Sequence, residues 1–227
     1  MFFPRRATQV EYFDSPDRTH SELVEGYASL NRVNQWFIFA DPFQRSLPRL
    51  LGEEQCRELS ILDLGAGDGL LGRTLERWAS NRGWKWKFTN LDVNPGALAL
   101  NPGARNVVGS ALALPFDDRS FDVVIGSQMT HHFSDEEVVI HLREAWRVAR
   151  LAICLTDLQR SALLYLVVRM MFLLARFPGH FQQDGLLSVK RGFRMDELQR
   201  FAEAAKISSP QVFSYYGMRL ILQAKKV

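Results

Sequence analysis

Apolar positions along the chain recur at two different spacings, and the alternation between them predicts helices and strands in turn. Leu23, Tyr27, Leu30, Val33 and Phe37 fall at helical spacing behind Thr19 and Glu22, a capping-box pair, so a helix is expected over 20–37. A second is expected near 43–51. The run 60–64 is short, apolar and closed by glycines, which marks a buried strand. Leu70, Leu71, Thr74, Leu75 and Trp78 then share one helical face. Further strands are predicted over 86–91, 106–108, 121–125 and 151–155. Ser134 and Glu137 cap a helix whose stripe is Val138, Val139, Leu142, Ala145, Trp146 and Ala149. A polar loop bearing His180, Asp184, Lys190 and Arg191, side chains that could reach an acidic or phenolic ligand or simply be solvated, precedes a helix with Leu198, Phe201, Ala202 and Ala205. Two strand-like runs, 211–216 and 218–224, flank Gly217.

Strands that alternate with helices require a parallel sheet covered on both faces. The expected fold class is α/β, a doubly wound, mostly parallel sheet of seven strands. Its last two strands form an antiparallel edge hairpin. Residues 1–52 read as an N-terminal helical cap and 53–227 as the α/β domain, with a helical lid inserted at about 159–192. Ligands of such sheets bind beyond the carboxyl ends of the strands, so the loops there are where chemistry is expected.

The segment 161–175, SALLYLVVRMMFLLA, is apolar on all sides except for Arg169. A spanning helix needs about 20 apolar residues, and a central arginine costs roughly 2.5–3.5 kcal/mol even on a lenient scale. The segment is too short and too charged to span. Three readings stay open: burial on the N-terminal helices, a wall of a hydrophobic acceptor pocket, or a face lying on a membrane surface.

Composition changes this picture little. The chain has 227 residues with a net charge of +3, spread without a Lys/Arg cluster, which permits an anionic ligand but argues against a nucleic-acid partner. The interleaved Trp84-Lys-Trp86-Lys-Phe88 has the period of an amphipathic strand and is read as one. Two cysteines, Cys56 and Cys154, exclude a disulfide scaffold and fit a reducing, cytoplasmic compartment. Arg5 and Arg6 follow the first apolar residues and no apolar core succeeds them, so no signal peptide is expected.

The chemistry centres on Asp63-Leu-Gly65-Ala-Gly67-Asp-Gly69, between a strand and a helix. Glycines let a ligand approach the backbone at the helix start, where N–H groups are free. A GxGxxG dinucleotide fingerprint fails, because Leu70 stands at its third glycine. The next strand ends in Asp92, a carboxylate suited to two ribose hydroxyls.

Three stretches in order, ILDLGAGDG, Asn90-Leu-Asp92-Val-Asn94-Pro95 and LALPFDDRSFDVVIGSQMTHHF, resemble the class I S-adenosylmethionine-dependent methyltransferases. The closest style is that of small bacterial small-molecule methyltransferases with a type 11/12-like domain. The resemblance covers about 60–160 and the C-terminal hairpin. It implies S-adenosyl-L-methionine as cofactor and S-adenosyl-L-homocysteine as product. By it, Gly65, Ala66 and Gly67 pack against the methionine and ribose, Asp63 holds the amino group, and Asp92 with Val93 receives the ribose. Ser110 and Ala111 lie beside the adenine, and Ser127 offers its carbonyl to the amino group. Many relatives carry Asp where this chain has Ser110, and a Pro-Gly-Gly turn where it has Arg147-Val-Ala-Arg150.

Methyl transfer needs alignment of donor and acceptor, and a base only when the nucleophile carries a proton. His131 and His132 follow the fourth strand, on the rim where a base would act, though either ring can equally pack or cap the loop. Asp157 ends the fifth strand and points into the crevice or caps the next helix. No acidic cluster marks a metal site, and none is expected. The acceptor is read as a small lipophilic or aromatic molecule, methylated on oxygen. Alternatives are methylation of a ring carbon in a quinone-like or polyketide acceptor, and a non-catalytic cofactor-binding domain that meets partners or membranes through 161–175.

Overall fold

The computed structural model describes residues 3–15, 17–37 and 39–226. After a 3-10 turn at Tyr12–Asp14 come α1 (His20–Trp36) and α2 (Asp41–Leu51). The alternating part runs β1 (Glu58–Leu64), α3 (Leu70–Ser80), β2 (Lys85–Asp92), α4 (Pro95–Leu98), β3 (Asn106–Val108), β4 (Phe121–Ser127), α5 (Asp135–Val148) and β5 (Ala149–Leu158). Helices α6 (Ala162–Ala175), α7 (Gly179–Arg191) and α8 (Met195–Ala204) follow, then β6 (Gln211–Tyr215) and β7 (Arg219–Lys225).

The sheet order is β3-β2-β1-β4-β5-β7-β6. β1 pairs in parallel with both β2 and β4, so the winding direction reverses between β1 and β4. A crevice opens at that reversal. β7 runs antiparallel between β5 and β6, and the expected hairpin is therefore present with β6 outermost.

Strand periodicity divides the core into two layers. Leu62 and Leu64 of β1 with Val124 of β4 face α5 and α8, where Val138, Leu142, Leu198 and Ala202 are buried. The alternate residues, Leu59, Ile61, Val123 and Ile125, face α2 and α3, against Phe43, Leu47 and Leu75. A side-chain period of two makes one strand serve both layers, and each fully buried Leu or Ile contributes about 1.5–3 kcal/mol. The capping pairs act as expected: the Thr19 side chain accepts from the Glu22 amide, and that of Ser134 from the Glu137 amide. At Arg147-Val-Ala-Arg150 the chain passes directly from α5 into β5.

The structure departs from the sequence reading in two places. The stretch expected to be a polar loop is a helix, α7. Its inner stripe is Phe181, Asp184, Ser188 and Arg191, all buried. Polar side chains fill three of those four positions, which hides the helical period. They are tolerated because Asp184 accepts from the Tyr12 and Phe13 amides and Arg191 donates to backbone carbonyls. The stretch 1–52 is also divided. Helix α2 belongs to the sheet's own layer, where Phe43 and Leu47 are fully buried, and only the part through α1 covers the crevice.

Helix α6 buries one face and exposes the other. Leu164, Val168 and Phe172 are buried in a third cluster with Phe177, Phe181 and Val189 of the α7 region, against Phe13, Leu30 and Val33. Leu163, Leu166, Val167, Met170, Leu173 and Leu174 face outward and are exposed. No described helix is long and apolar enough to cross a membrane.

Candidate functional site

The loops at the carboxyl ends of β1, β2, β3 and β4 meet the N-terminal turn, α1, α6 and α7 around a cavity of about 500 Å³. Asp63, Gly65, Ala66, Gly67, Asp92, Val93, Ser110, Ala111 and Ser127, expected to hold a cofactor, all line it. His131 and His132 line it too.

The glycine loop is tied to the next strand. Asp92 Oδ2 accepts from the Gly67 amide at 2.9 Å, and Oδ1 accepts from the Asn94 amide at 2.9 Å. Gly67 has φ +55, and a Cβ there would meet Tyr27 Cε1 at 2.5 Å. Glycine is therefore needed both for the turn and for the ring that α1 lays across it. Asn31 Nδ2 donates to Asp68 Oδ2 at 2.8 Å, and Gln128 Nε2 to Asn34 Oδ1 at 3.1 Å, fixing α1 over both loops. In the sequence Tyr27, Asn31 and Asn34 read only as positions on a helix, and nothing local to them marked a site.

Asp63 is buried, and its Oδ2 has no hydrogen-bond partner. Burial, reinforced by the charge of Asp92, pushes its pKa up to about 8. Burial likewise raises that of Asp92, against the backbone amides that lower it. Two carboxylates held together at such a cost favour a cationic ligand group between them.

The far end of the cavity is a histidine pair. Burial alone would lower the pKa of His131, yet Asp157 and Glu11 outweigh it and lift it to about 10. Asp157 Oδ1 accepts from His131 Nδ1 at 2.6 Å and Oδ2 from the His131 amide at 2.9 Å. His132 is the more exposed ring, stacked at a tilt on His131 with centroids 4.3 Å apart. Two arginines hold this turn by its carbonyls: Arg6 donates to those of His131 and Phe133, and Arg191 to those of His131 and His132.

Several expectations are corrected here. Asp157 does not line the cavity and does not cap α6, whose cap is Ser161; it stands behind His131 and positions it. Arg191 is buried, bonded to carbonyls and to Asp14, and does not reach out for a substrate. His180 stacks on Tyr12, and neither it nor Lys190 lines the cavity. Asp184 lines it, but its oxygens accept from the Tyr12 and Phe13 amides. No metal-ligating set was expected, yet Glu11, distant in sequence, brings a carboxylate to the two histidines.

Arg219 was missed altogether. It lies at the start of β7, paired in register with Leu158, and it lines the cavity while only 6% exposed. Among the described residues its side chain makes no hydrogen bond or ion pair, and its Nη1 is buried without a partner. Burial lowers its pKa to about 10, with Asp157 acting in the opposite sense.

Known proteins resemble this chain in sequence and in fold. The family model described as "Methyltransferase domain" matches residues 62–151. A demethylmenaquinone methyltransferase of Roseiflexus castenholzii is 29% identical over 136 residues, 59% of this chain and 55% of that protein. A phthiotriol/phenolphthiotriol dimycocerosates methyltransferase of Mycobacterium leprae is 31% identical over 157 residues, 64% of this chain and 48% of that one. The chain thus spans about half the length of the curated relatives it matches. Among solved structures, the plantazolicin methyltransferase BpumL in complex with SAH superposes with a TM-score of 0.69 at 12% identity, covering 95% of this chain and 92% of that one. Human N-acetylserotonin methyltransferase in complex with SAM gives 0.65 at 15% identity, covering 95% and 59%. These likenesses carry the fold, which is the expected seven-stranded one.

Proposed function

We propose that this chain, whose fold and central domain are those of the class I methyltransferases, transfers a methyl group from S-adenosylmethionine to an oxygen of a small lipophilic acceptor. The observation that carries this reading is the pair Asp63 and Asp92, two buried carboxylates in one cavity beside a glycine loop, one with an unpartnered oxygen. A ligand with an ammonium, a sulfonium and a ribose suits that set: the cation relieves Asp63, and the hydroxyls meet Asp92. When bound, that cofactor supplies a methyl group on a good leaving group. Gly65, Ala66 and Gly67 let it lie against the backbone, and Tyr27 and the α1 cap exclude water from it.

The acceptor end is apolar, with Leu164, Val168, Met171 and Phe172 of α6 along it. Beside the histidine pair, Arg219 adds an unpaired guanidinium that suits a ligand oxygen carrying negative charge, such as a phenolate, enolate or carboxylate. In this reading the proton of a hydroxyl acceptor passes to His132, backed by Asp14, while His131 and Asp157 keep the turn in place. The names of three curated relatives, demethylmenaquinone methyltransferases, favour a second reading, methylation of a ring carbon in a quinone-like acceptor. Arg219 serves that reaction equally, through the ring oxygen.

The outer face of α6 completes the proposal. Its exposed leucines and methionine stand with Arg169, Arg176, and Arg32 stacked over Trp36 and Phe177, and 161–183 contains no acidic residue. An anionic lipid surface matches both the apolar face and its positive rim. The helix that walls the cavity would then lie on the medium that delivers a lipophilic acceptor.

Calorimetric titration with S-adenosylmethionine and S-adenosylhomocysteine, with NADH as control, tests the cofactor reading; micromolar binding of the first two alone is expected. Release of S-adenosylhomocysteine in a screen of lipophilic phenols, quinols and carboxylic acids then tests transfer. Binding without turnover on any of them would favour the non-catalytic alternative.

A further inference from the structure

Three buried atoms converge at the acceptor end of the cavity with no hydrogen bond among them. Glu11 Oε1, His131 Nε2 and His132 Nδ1 are each buried without a hydrogen-bond partner, and one ligand atom from each of these three residues lies within 4.8 Å of the others. Glu11 and His131 are themselves almost wholly buried. Leaving one such atom unsatisfied is costly, and three pointing at one place ask for a common partner.

We propose that Glu11, His131 and His132 bind a divalent transition-metal ion of the zinc type. Glu11 Oε1 is 3.6 Å from His131 Nε2, too far for a hydrogen bond. Two atoms bound to one tetrahedral ion at about 2.0–2.1 Å stand roughly 3.3 Å apart, so small side-chain adjustments complete the coordination. Two imidazoles and a carboxylate suit zinc, cobalt or ferrous iron better than magnesium or calcium. Asp157, at 2.6 Å from His131 Nδ1, fixes the ring so that Nε2 is the liganding nitrogen, the usual arrangement of a carboxylate behind a metal-bound histidine. Asp14 Oδ1 lies 2.8 Å from His132 Nδ1, outside hydrogen-bond geometry, and is placed to follow that nitrogen toward an ion.

The charges agree. Three carboxylates, Glu11, Asp14 and Asp157, surround the histidines, and one guanidinium, Arg191, faces them, its Nε 4.0 Å from Glu11 Oε1. In the metal-free protein a protonated His131 meets part of this negative charge, and a divalent ion would take the place of that proton. All three ligands line the cavity, so the open coordination position faces it. If the cavity holds the methyl acceptor, as proposed above, its oxygen takes that position and releases its proton to solvent water more readily, with His132 a ligand instead of a base. Binding of the ion itself does not depend on that reading.

The experiment uses the full chain stripped of metal with a chelator. Zinc chloride is titrated by calorimetry and cobalt chloride by visible absorption. One ion per chain is expected, with micromolar or tighter affinity and the intense d–d bands of four- or five-coordinate cobalt. Glu11→Gln and His132→Ala, with unchanged circular dichroism, should each weaken binding roughly tenfold or more. His180→Ala, on a histidine outside the cavity, should leave it unchanged. Absence of binding below millimolar metal overturns the proposal, as does binding that survives both site variants or is lost in His180→Ala. Cofactor binding measured on the same preparations separates failure of the metal site from failure of the methyltransferase reading.

Discussion

The amide of Gly67 donates to Asp92 Oδ2 at 2.9 Å, joining the glycine loop after β1 to the end of β2. One carboxylate thereby shapes the loop and faces the cavity. Asp92→Ala should weaken S-adenosylmethionine by about 1–3 kcal/mol, from lost hydrogen bonds to the ligand and a looser loop. Calorimetry on a variant with wild-type circular dichroism decides it, and unchanged affinity would remove Asp92 from the site.

Asp63 gives the pH dependence. Its pKa rises from the ordinary 3.8 to about 8 in the folded protein, so between those values the native state holds a proton that the unfolded state has lost. Stability of the ligand-free protein should therefore fall as pH rises from 4 toward 8. A cationic ligand favours the carboxylate, so S-adenosylmethionine affinity should rise over the same window. Asp63→Asn should flatten both profiles. Denaturant midpoints and calorimetric affinities at pH 5, 6.5 and 8 read them, and a wild-type profile in the variant would refute the assignment.

Arg219 sets stability against function. An unpartnered buried charge destabilises the fold, so Arg219→Met should stabilise the ligand-free protein by about 1–3 kcal/mol. The same variant should keep the cofactor and lose most turnover on acceptors with an acidic oxygen. A thermal melt and a turnover assay run together test this. Lower stability with full turnover would make Arg219 a structural residue.

The outer face of α6 is open to a direct measurement. Leu166→Glu combined with Leu173→Glu places two charges where the chain is exposed, so the fold should hold. Co-sedimentation with vesicles of phosphatidylglycerol and phosphatidylcholine should fall several-fold, while cofactor affinity stays the same. Equal sedimentation of wild type and variant counts against lipid contact.

Much of the fold was legible because its causes are local. The capping pairs at Thr19 and Ser134, the short apolar runs of β1 and β4, and the glycines after β1 each act within a few residues. Helix α7 was not legible, since Asp184 and Arg191 occupy its inner stripe and their partners, Tyr12, Phe13 and the histidine carbonyls, lie far away in sequence. The same holds for α2, which reads as amphipathic whether it covers a crevice or a sheet.

The sequence by itself determined the alternation of strands and helices and set the glycine turn and Asp92 at the ends of successive strands, because these features are close together in the chain; the remaining residues expected around the cofactor came from the resemblance. Only the tertiary structure decided what those residues face. It brought Glu11 to His131, 120 positions away, set Asp157 behind His131 instead of in the cavity, and left Arg219 unpaired inside it. Electrostatic and coordinating partners act through a few ångströms of space, and that distance is fixed only once the N-terminal turn, the loop after β4 and the start of β7 have packed together.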